Sequence, residues 1–230
     1  LPVSPYLLGA LIGDGCLTLT RNQQNGGRTL YFNNSEHDII GRVINELNKI
    51  GATMRFNPCT ANQFAISNCD GLKESIVALG LNVKSPMRFI PDIYKRATIA
   101  ERKLLLAGLI DTDGHVSEGG AISYSTQSEQ LAYDVRELAH GLGYKGTSSV
   151  DKRGCFKVAI ASDGEVFLSK KHTSRMDAVK GRRGRSEDTE SLAIASVELV
   201  GREECQCIMV DSAEHTYLCD DYIVTHNTVA

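Results

Sequence analysis

Leu106-Ala107-Gly108-Leu109-Ile110-Asp111-Thr112-Asp113-Gly114 has a weaker echo near the start of the 230-residue chain, Leu7-Leu8-Gly9-Ala10-Leu11-Ile12-Gly13-Asp14-Gly15. Both are apolar runs that end in a carboxylate and a glycine, and Asp14 and Asp113 stand 99 residues apart. Thr98 and Glu101 have the spacing of a capping box, so a helix is expected to start near Ile99 and run into the second copy. Ser4 is a good N-cap for the first copy, and Pro5 occupies a first helical position, where its missing N–H costs nothing. The apolar run is wider than one amphipathic stripe, which predicts burial nearly all round. Gly9-Ala10 and Ala107-Gly108 leave room for two such helices to meet backbone to backbone. Gly15 and Gly114 are expected to end the helices in the left-handed conformation.

The carboxylates run against local electrostatics. Asp14 and Asp113 lie at helix C-termini, where the macrodipole disfavours an anion by up to about 1 kcal/mol. Brought together, they repel further unless a cation sits between them. The pair reads as one divalent-metal site made from two copies.

The rest of the first two thirds repeats around these copies. Cys16 to Thr20 alternates as a strand, Asn25-Gly26-Gly27 turns, and Thr29 to Asn33 returns; His115 to Ser117, Glu118-Gly119-Gly120 and Ala121 to Thr126 do the same. Ser35-Glu36 opens a helix to about Ile50, and Ser128-Glu129 opens one to about Leu142. Short strands follow each, at Met54 to Asn57 and Phe64 to Ser67, then at Thr147 to Val150 and Phe156 to Ala161. This pattern predicts an α+β pseudo-dimer with its two-fold axis between the motif helices. The two repeats cover about residues 1–92 and 93–170.

No run of about 18 apolar residues and no secretory signal is present, so no membrane partner is expected. Seven cysteines without framework spacing suggest a reducing, cytoplasmic compartment. Cys205 and Cys207 are too close for ordinary zinc spacing.

Leu106 to Gly114 resembles the signature of the LAGLIDADG (DOD-type) homing endonucleases and departs from its nine letters only at Thr112. The first copy is looser, with Ile12 and Gly13 where the pattern has Asp and Ala, but keeps its Asp-Gly end. The resemblance implies that Asp14 and Asp113 bind Mg²⁺ at the scissile phosphates of a double-stranded DNA target. It also implies base contacts from hairpin strands in the major groove. Those contacts are expected from Thr18, Thr20, Arg21, Asn22, Gln23, Gln24 and Arg28 at one half-site, and from Ser117, Ser123, Ser125 and Gln127 at the other. Lys152 and Lys157 are basic candidates for assisting the chemistry, with Lys157 preferred because Phe156-Lys157-Val158 reads as a strand facing the site.

A net charge of −3 argues mildly against a DNA binder, but Lys170 to Arg185 holds seven basic residues against Asp177 alone. Lys170 and Lys171 open this run, and residues 171–190 read as a basic linker, either solvated or touching phosphates. From Glu187 to Asp221 the character reverses to ten acidic residues against Arg202, which places a boundary near residue 186. Strands are expected at Leu192 to Val200, Cys207 to Val210, Thr216 to Leu218 and Tyr222 to Thr225, too short to bury a core alone.

Val224-Thr225-His226-Asn227-Thr228 resembles the C-terminal splice junction of an intein, and Val210 to Leu218 resembles the motif that precedes it. Residues 191–227 would then be the C-terminal strands of an all-β Hint domain, and 228–230 the downstream host segment. Asn227 can attack its own carbonyl and cut the chain. His226 and His215, eleven residues apart, can assist that proton transfer near neutral pH. The Thr228 hydroxyl would accept the upstream segment as an ester. Cys207, with Thr225 before His-Asn, resembles the class 3 inteins, in which that cysteine is the first nucleophile; Cys205 is the other possibility. The tryptophan that marks the class is absent, as is an N-terminal splicing region, so the chain looks like a C-terminal fragment or the larger half of a split intein. Thr228-Val229-Ala230 would complete a phosphate-binding loop if the upstream host segment ended in Gly-Lys, making the host extein a P-loop NTPase.

The expectation is an intein fragment with a Mg²⁺-dependent DNA endonuclease. The alternatives are a DNA-binding module that has lost cleavage, and a free-standing endonuclease or RNA maturase with an unrelated tail.

Overall fold

The structure is a computed structural model that describes residues 1–19, 29–58, 60–162, 166–179, 196–199, 201–202, 204, 208–211, 213–219 and 222–226. It divides into two compact units, residues 1–183 and 184–230.

The first unit is built twice on one plan. Helix α1 (Pro5–Asp14) runs into β1 (Gly15–Cys16), then β2 (Leu30–Asn33), α2 (His37–Lys49), β3 (Thr53–Phe56), β4 (Gln63–Ser67) and α3 (Asp70–Ala78). A connector holds the short helix α4 (Asp92–Lys95). The second round is α5 (Ile99–Asp113), β5 (Gly114–Val116), β6 (Ile122–Thr126), α6 (Glu129–Gly141), β7 (Lys145–Val150), β8 (Phe156–Ala161) and α7 (Lys170–Val179). The four-stranded antiparallel sheets have matching orders, β1-β2-β4-β3 and β5-β6-β8-β7.

Local chemistry explains these elements. Thr98 and Glu101 form the expected capping box at α5, and the Ser128 hydroxyl caps α6 by accepting from the Leu131 N–H. Ser4 has the backbone of an N-cap, but its side chain makes no capping hydrogen bond, so α1 starts on Pro5. Along β6 and β8, Ile122, Tyr124, Val158 and Ile160 turn to the core, while Ser123, Ser125, Lys157 and Ala159 alternate to the open face.

Helices α1 and α5 are the centre of the core. Leu7, Leu8, Leu11, Ile12, Leu105, Leu106, Leu109 and Ile110 are buried, each worth roughly 1.5–3 kcal/mol relative to exposure. The helices meet at two glycines related by the repeat. A Cβ on Gly9 would lie 2.4 Å from the Leu105 carbonyl oxygen, and one on Gly108 would lie 2.3 Å from that of Tyr6.

Three expectations need correction. Gly15 and Gly114 are not left-handed: their φ values are −80° and −87°, in extended backbone. Glycine is needed because a Cβ would sit 2.4 Å from the Leu11 carbonyl oxygen and 2.2 Å from that of Ile110. Residues 171–179 are not linker but most of α7, which buries His172, Met176 and Val179. Of the expected strands at 192–200 and 207–210, the described residues 196–199 and 208–210 carry no strand. Alternation alone makes no ladder without a paired edge, and Val197, Leu199 and Met209 are exposed.

In the second unit, β9 (Thr216–Leu218) and β10 (Val224–His226) form an antiparallel hairpin. Among the described residues, no helix is long and apolar enough to cross a membrane, and Cys16, Cys69, Cys155 and Cys219 are free.

Candidate active site

The close glycine contacts set α1 and α5 side by side, so their C-terminal ends arrive together. Gly13 lies against Thr112 so closely that a Cβ there would be 2.0 Å from Thr112 Oγ1, and 3.4 Å from Asp113 Oδ2. The departures from the nine-letter pattern at Gly13 and Thr112 are thus complementary: the bulk of Thr112 fills what alanine would need at Gly13. Thr112 Oγ1 donates to the carbonyls of Gly108 and Leu109, 2.9 and 3.0 Å away.

Asp14 and Asp113 come close together at the ends of α1 and α5. Asn34 Nδ2 donates to Asp14 Oδ2 at 2.6 Å and fixes its orientation. Burial raises the Asp14 pKa, while the Asn34 hydrogen bond and the charges of Arg88 and Lys171 oppose the rise. Asp113 is pushed up to about 7, by burial first and by the Asp14 carboxylate second, with Arg88 pulling down. Asp113 is exposed, so water screens part of this desolvation and the direction of the shift is what matters. Below the pair lies Tyr124, fully buried, with its Oη lacking a hydrogen-bond partner among the described residues. Burial, then the charge of Asp113, hold the Tyr124 phenol well above its usual pKa.

Arg88, in the connector, was not singled out by the sequence. It is 9% exposed and donates to the carbonyls of Ile12, of Gly13 at 2.8 Å and of Gly15 at 2.6 Å. These are the orphan carbonyls at the end of α1. The Ser128 hydroxyl in turn donates to the Arg88 carbonyl at 2.6 Å.

Asp111, which lines a cleft with Asp14, is engaged differently from Asp113. Buried, it accepts from Tyr6 Oη at 2.9 Å and from the N–H groups of Leu168 and Ser169 at 3.0 and 2.9 Å. This anchors the start of α7, which Asp38 also holds through the Lys170 N–H at 2.6 Å. In consequence Lys171 reaches the cleft, about 340 Å³ in volume, whose walls include Asp14, Asn34, Glu36 and Thr112. Lys171 Nζ is 3.3 Å from Glu36.

The other expected residues spread over the sheets. Lys157 is exposed on the open face of β8, flanked by Ser125 and Ser149, and Lys152 lies in the turn before β8. Ser123 points to the open face but is only 6% exposed. Ser117 Oγ is used by the hairpin turn, accepting from the Ala121 N–H at 2.9 Å, and Gln127 is exposed after β6. Thr18 is turned to the connector, its hydroxyl donating to the Val83 carbonyl at 3.3 Å. Thr20, Arg21, Asn22, Gln23, Gln24 and Arg28 lie outside the described residues. Sequence reasoning also missed open-face residues on the outer strands: Arg55, Lys145, Thr147 and Ser149 lie level with Ala65, Ala161, Ala159 and Lys157. Strand alternation was the signal that could have found them.

In the second unit, the β9–β10 hairpin brings His215 and His226 to a ring-centroid distance of 6.4 Å, perpendicular to each other. Thr225 pairs with Tyr217. Cys205, Cys207, Asn227 and Thr228 lie outside the described residues.

Residues 100–180, which hold nearly all of α5 with Asp113, match the family model of the LAGLIDADG-like domain. That stretch of the chain is similar to a LAGLIDADG-like domain. The chain shares its fold, over about three quarters of its length, with solved structures of low sequence identity. A mesophilic variant of the homing endonuclease I-DmoI superposes with a TM-score of 0.51 at 15% identity, over 76% of this chain and 94% of that one. I-DmoI in complex with DNA and Ca gives 0.50 at 15%, over 72% and 85%. Full-length DUF199/WhiA from Thermatoga maritima gives 0.51 at 12%, over 81% and 62%.

Two curated relatives extend beyond the LAGLIDADG-like domain. The replicative DNA helicase DnaB of Mycobacterium intracellulare is 29% identical over 98% of this chain and 35% of its own length. The DNA gyrase A polypeptide of Mycobacterium kansasii is 25% identical over 70% of this chain and 30% of its own. The chain therefore spans about a third of the length of the curated relatives it matches.

Proposed function

We propose that the chain is part of an intein carrying a Mg²⁺-dependent homing endonuclease of the LAGLIDADG type. One observation carries the nuclease half: Asp14 and Asp113 end two helices pressed together at glycines, close enough for the Asp14 charge to raise the Asp113 pKa, and each helix runs on into one of two sheets of matching order. The donor set suits a hard divalent ion. Two carboxylates, with raised pKa values and an unpartnered phenol beneath, are short of positive charge and of one partner. Among the described residues no group of three or more protein ligands gathers. That fits Mg²⁺, which typically takes one or two carboxylates and completes its shell with water and substrate phosphate.

When bound, the ion supplies a lowered water pKa and stabilisation of the leaving oxygen. Asn34 orients Asp14, Lys171 sets an ammonium at the cleft rim, and Lys157, Ser125, Ser149, Thr147 and Lys145 offer donors to a duplex on the open face. I-DmoI has been solved with DNA and Ca, and with DNA and Mn, which supports the same substrate and ion class here.

The splicing half draws on a different observation. A helicase and a gyrase both match this one chain over about a third of their length, the pattern left by an element inserted into unlike hosts. The His215–His226 pair supports asparagine cyclisation at Asn227, with Cys207 as the first nucleophile, Thr225 beside the junction and Thr228 as acceptor. The N-terminal intein portion and the host extein would be its partners.

Selection of cut molecules from a pool of long random duplexes tests the nuclease. Mg²⁺-dependent cutting that disappears in Asp14→Asn and Asp113→Asn is expected. Retained DNA binding with no cutting in wild type would leave a binding module. Intact mass after adding an N-terminal splicing region in trans tests the other half: a ligated product is expected, lost in Asn227→Ala and Cys207→Ala.

A further inference from the structure

The metal-free protein holds two like charges together at the negative end of two helix dipoles. Something must offset that repulsion before any ion arrives. We propose that Arg88 is a positioning residue that acts as the protein's own cation for this site, holding the end of α1, and Asp14 with it, beside Asp113 when no divalent ion is bound.

The arrangement of its hydrogen bonds supports this. The planar guanidinium fork reaches the carbonyls of Ile12, Gly13 and Gly15, on both sides of Asp14 in the chain. All its described hydrogen bonds go to carbonyls and none to a carboxylate. Its charge is nevertheless felt by Asp14 and by Asp113, opposing the rise in pKa of each. The cation therefore neutralises part of the pair while leaving the carboxylate oxygens open to a ligand. A direct Arg–carboxylate bridge would have blocked them. The residue is locked from behind: Ser128, the N-cap of α6, binds the Arg88 carbonyl, and the next turn of connector is tied to α6 by Asp134, which accepts from the Ile90 N–H at 2.7 Å. The buried side chain thus has a fixed approach to the end of α1.

This inference rests on the reading of Asp14 and Asp113 as a divalent-ion site, and the test separates the two. Thermal unfolding of the full chain is measured in EDTA and in Mg²⁺ for wild type, Arg88→Met, Arg88→Lys and Asp113→Asn. In EDTA, Arg88→Met should melt well below wild type, and Mg²⁺ should raise its Tm by more than it raises that of wild type. Arg88→Lys, which keeps the charge but loses the fork, should show the wild-type Mg²⁺ increment on a lowered Tm. A cap without an electrostatic role predicts the same increment in Arg88→Met as in wild type, and that result overturns the proposal. Should Arg88→Met not fold, the double variant Arg88→Met/Asp113→Asn decides: recovery of folding in EDTA supports the proposal, and an equally unfolded double variant overturns it. The Asp113→Asn arm reports on the ion site alone. If Mg²⁺ shifts wild type and not Asp113→Asn, the metal reading stands whatever Arg88 does; equal shifts in both put the fault in the metal reading and take the Arg88 proposal with it.

Discussion

Asp113 carries a proton cost that can be measured. Its ordinary pKa near 3.8 becomes about 7 in the folded protein, so the folded state binds more protons across that interval. Stability then falls as pH rises through it, with the full penalty present above the folded pKa and none below the unfolded one. The Tm in EDTA should drop between about pH 4 and pH 7, and Asp113→Asn should remove most of the slope; a wild-type Tm that is flat over this range contradicts the assignment. The Gly13–Thr112 contact predicts a second effect. Gly13→Ala should destabilise by about 1–3 kcal/mol because Thr112 has nowhere to go, and Gly13→Ala/Thr112→Ala should recover most of that in denaturant melts. An additive double variant would deny the contact. The carboxylates were legible from sequence because their chemistry is written in residue type and helix position. Arg88 was not, because it binds backbone carbonyls 73 to 76 residues away, and a carbonyl has no letter.

Among the elements, α1 and α5 were readable from caps and apolar runs, and the closeness of their approach from Gly9 and Gly108. Gly108→Ala should cost several kcal/mol in stability, since its Cβ would collide with backbone that cannot rotate away. Loss of the Mg²⁺ increment in Tm should accompany it, and an unchanged increment would show the helix ends to be positioned by something else. Helix α7 was missed as an element because a basic, glycine-interrupted run reads as solvated linker. What orders its start is the buried carboxylate of Asp111, two residues before Asp113, through three hydrogen bonds from distant groups. Removing them in Asp111→Ala should cost about 2–5 kcal/mol and should speed amide hydrogen exchange across residues 168–175 before the rest of the unit responds. The strands expected at 192–200 and 207–210 failed, in their described residues, for the opposite reason: alternation proposes a face, but only a neighbouring edge makes a strand, as β9 and β10 give each other.

The whole first unit is one pattern used twice, and the repeat was visible because motif, hairpin, helix and strand pair recur in the same order. Its asymmetry was not visible: Asp111 and Ile12 occupy equivalent positions, one anchoring α7 and the other buried in the core. The open sheet faces carry Lys145, Lys157 and Arg55 with short hydroxyl side chains, so duplex affinity should fall at least tenfold between roughly 50 and 200 mM salt, and Lys157→Ala should reduce the magnitude of the salt slope by about one. Affinity indifferent to salt would remove the open faces as the duplex-binding surface. The claim on which both the nuclease reading and Arg88 depend is that the two motif ends form a single ion site. Titration of ¹⁵N-labelled protein with substoichiometric Mn²⁺ addresses it without knowledge of the DNA target. The amide signals of Gly15 and Gly114 should broaden together, at the same Mn²⁺ concentration, and both should stay sharp in Asp113→Asn. Broadening of one without the other, or of both in the variant, would mean that Asp14 and Asp113 do not share an ion.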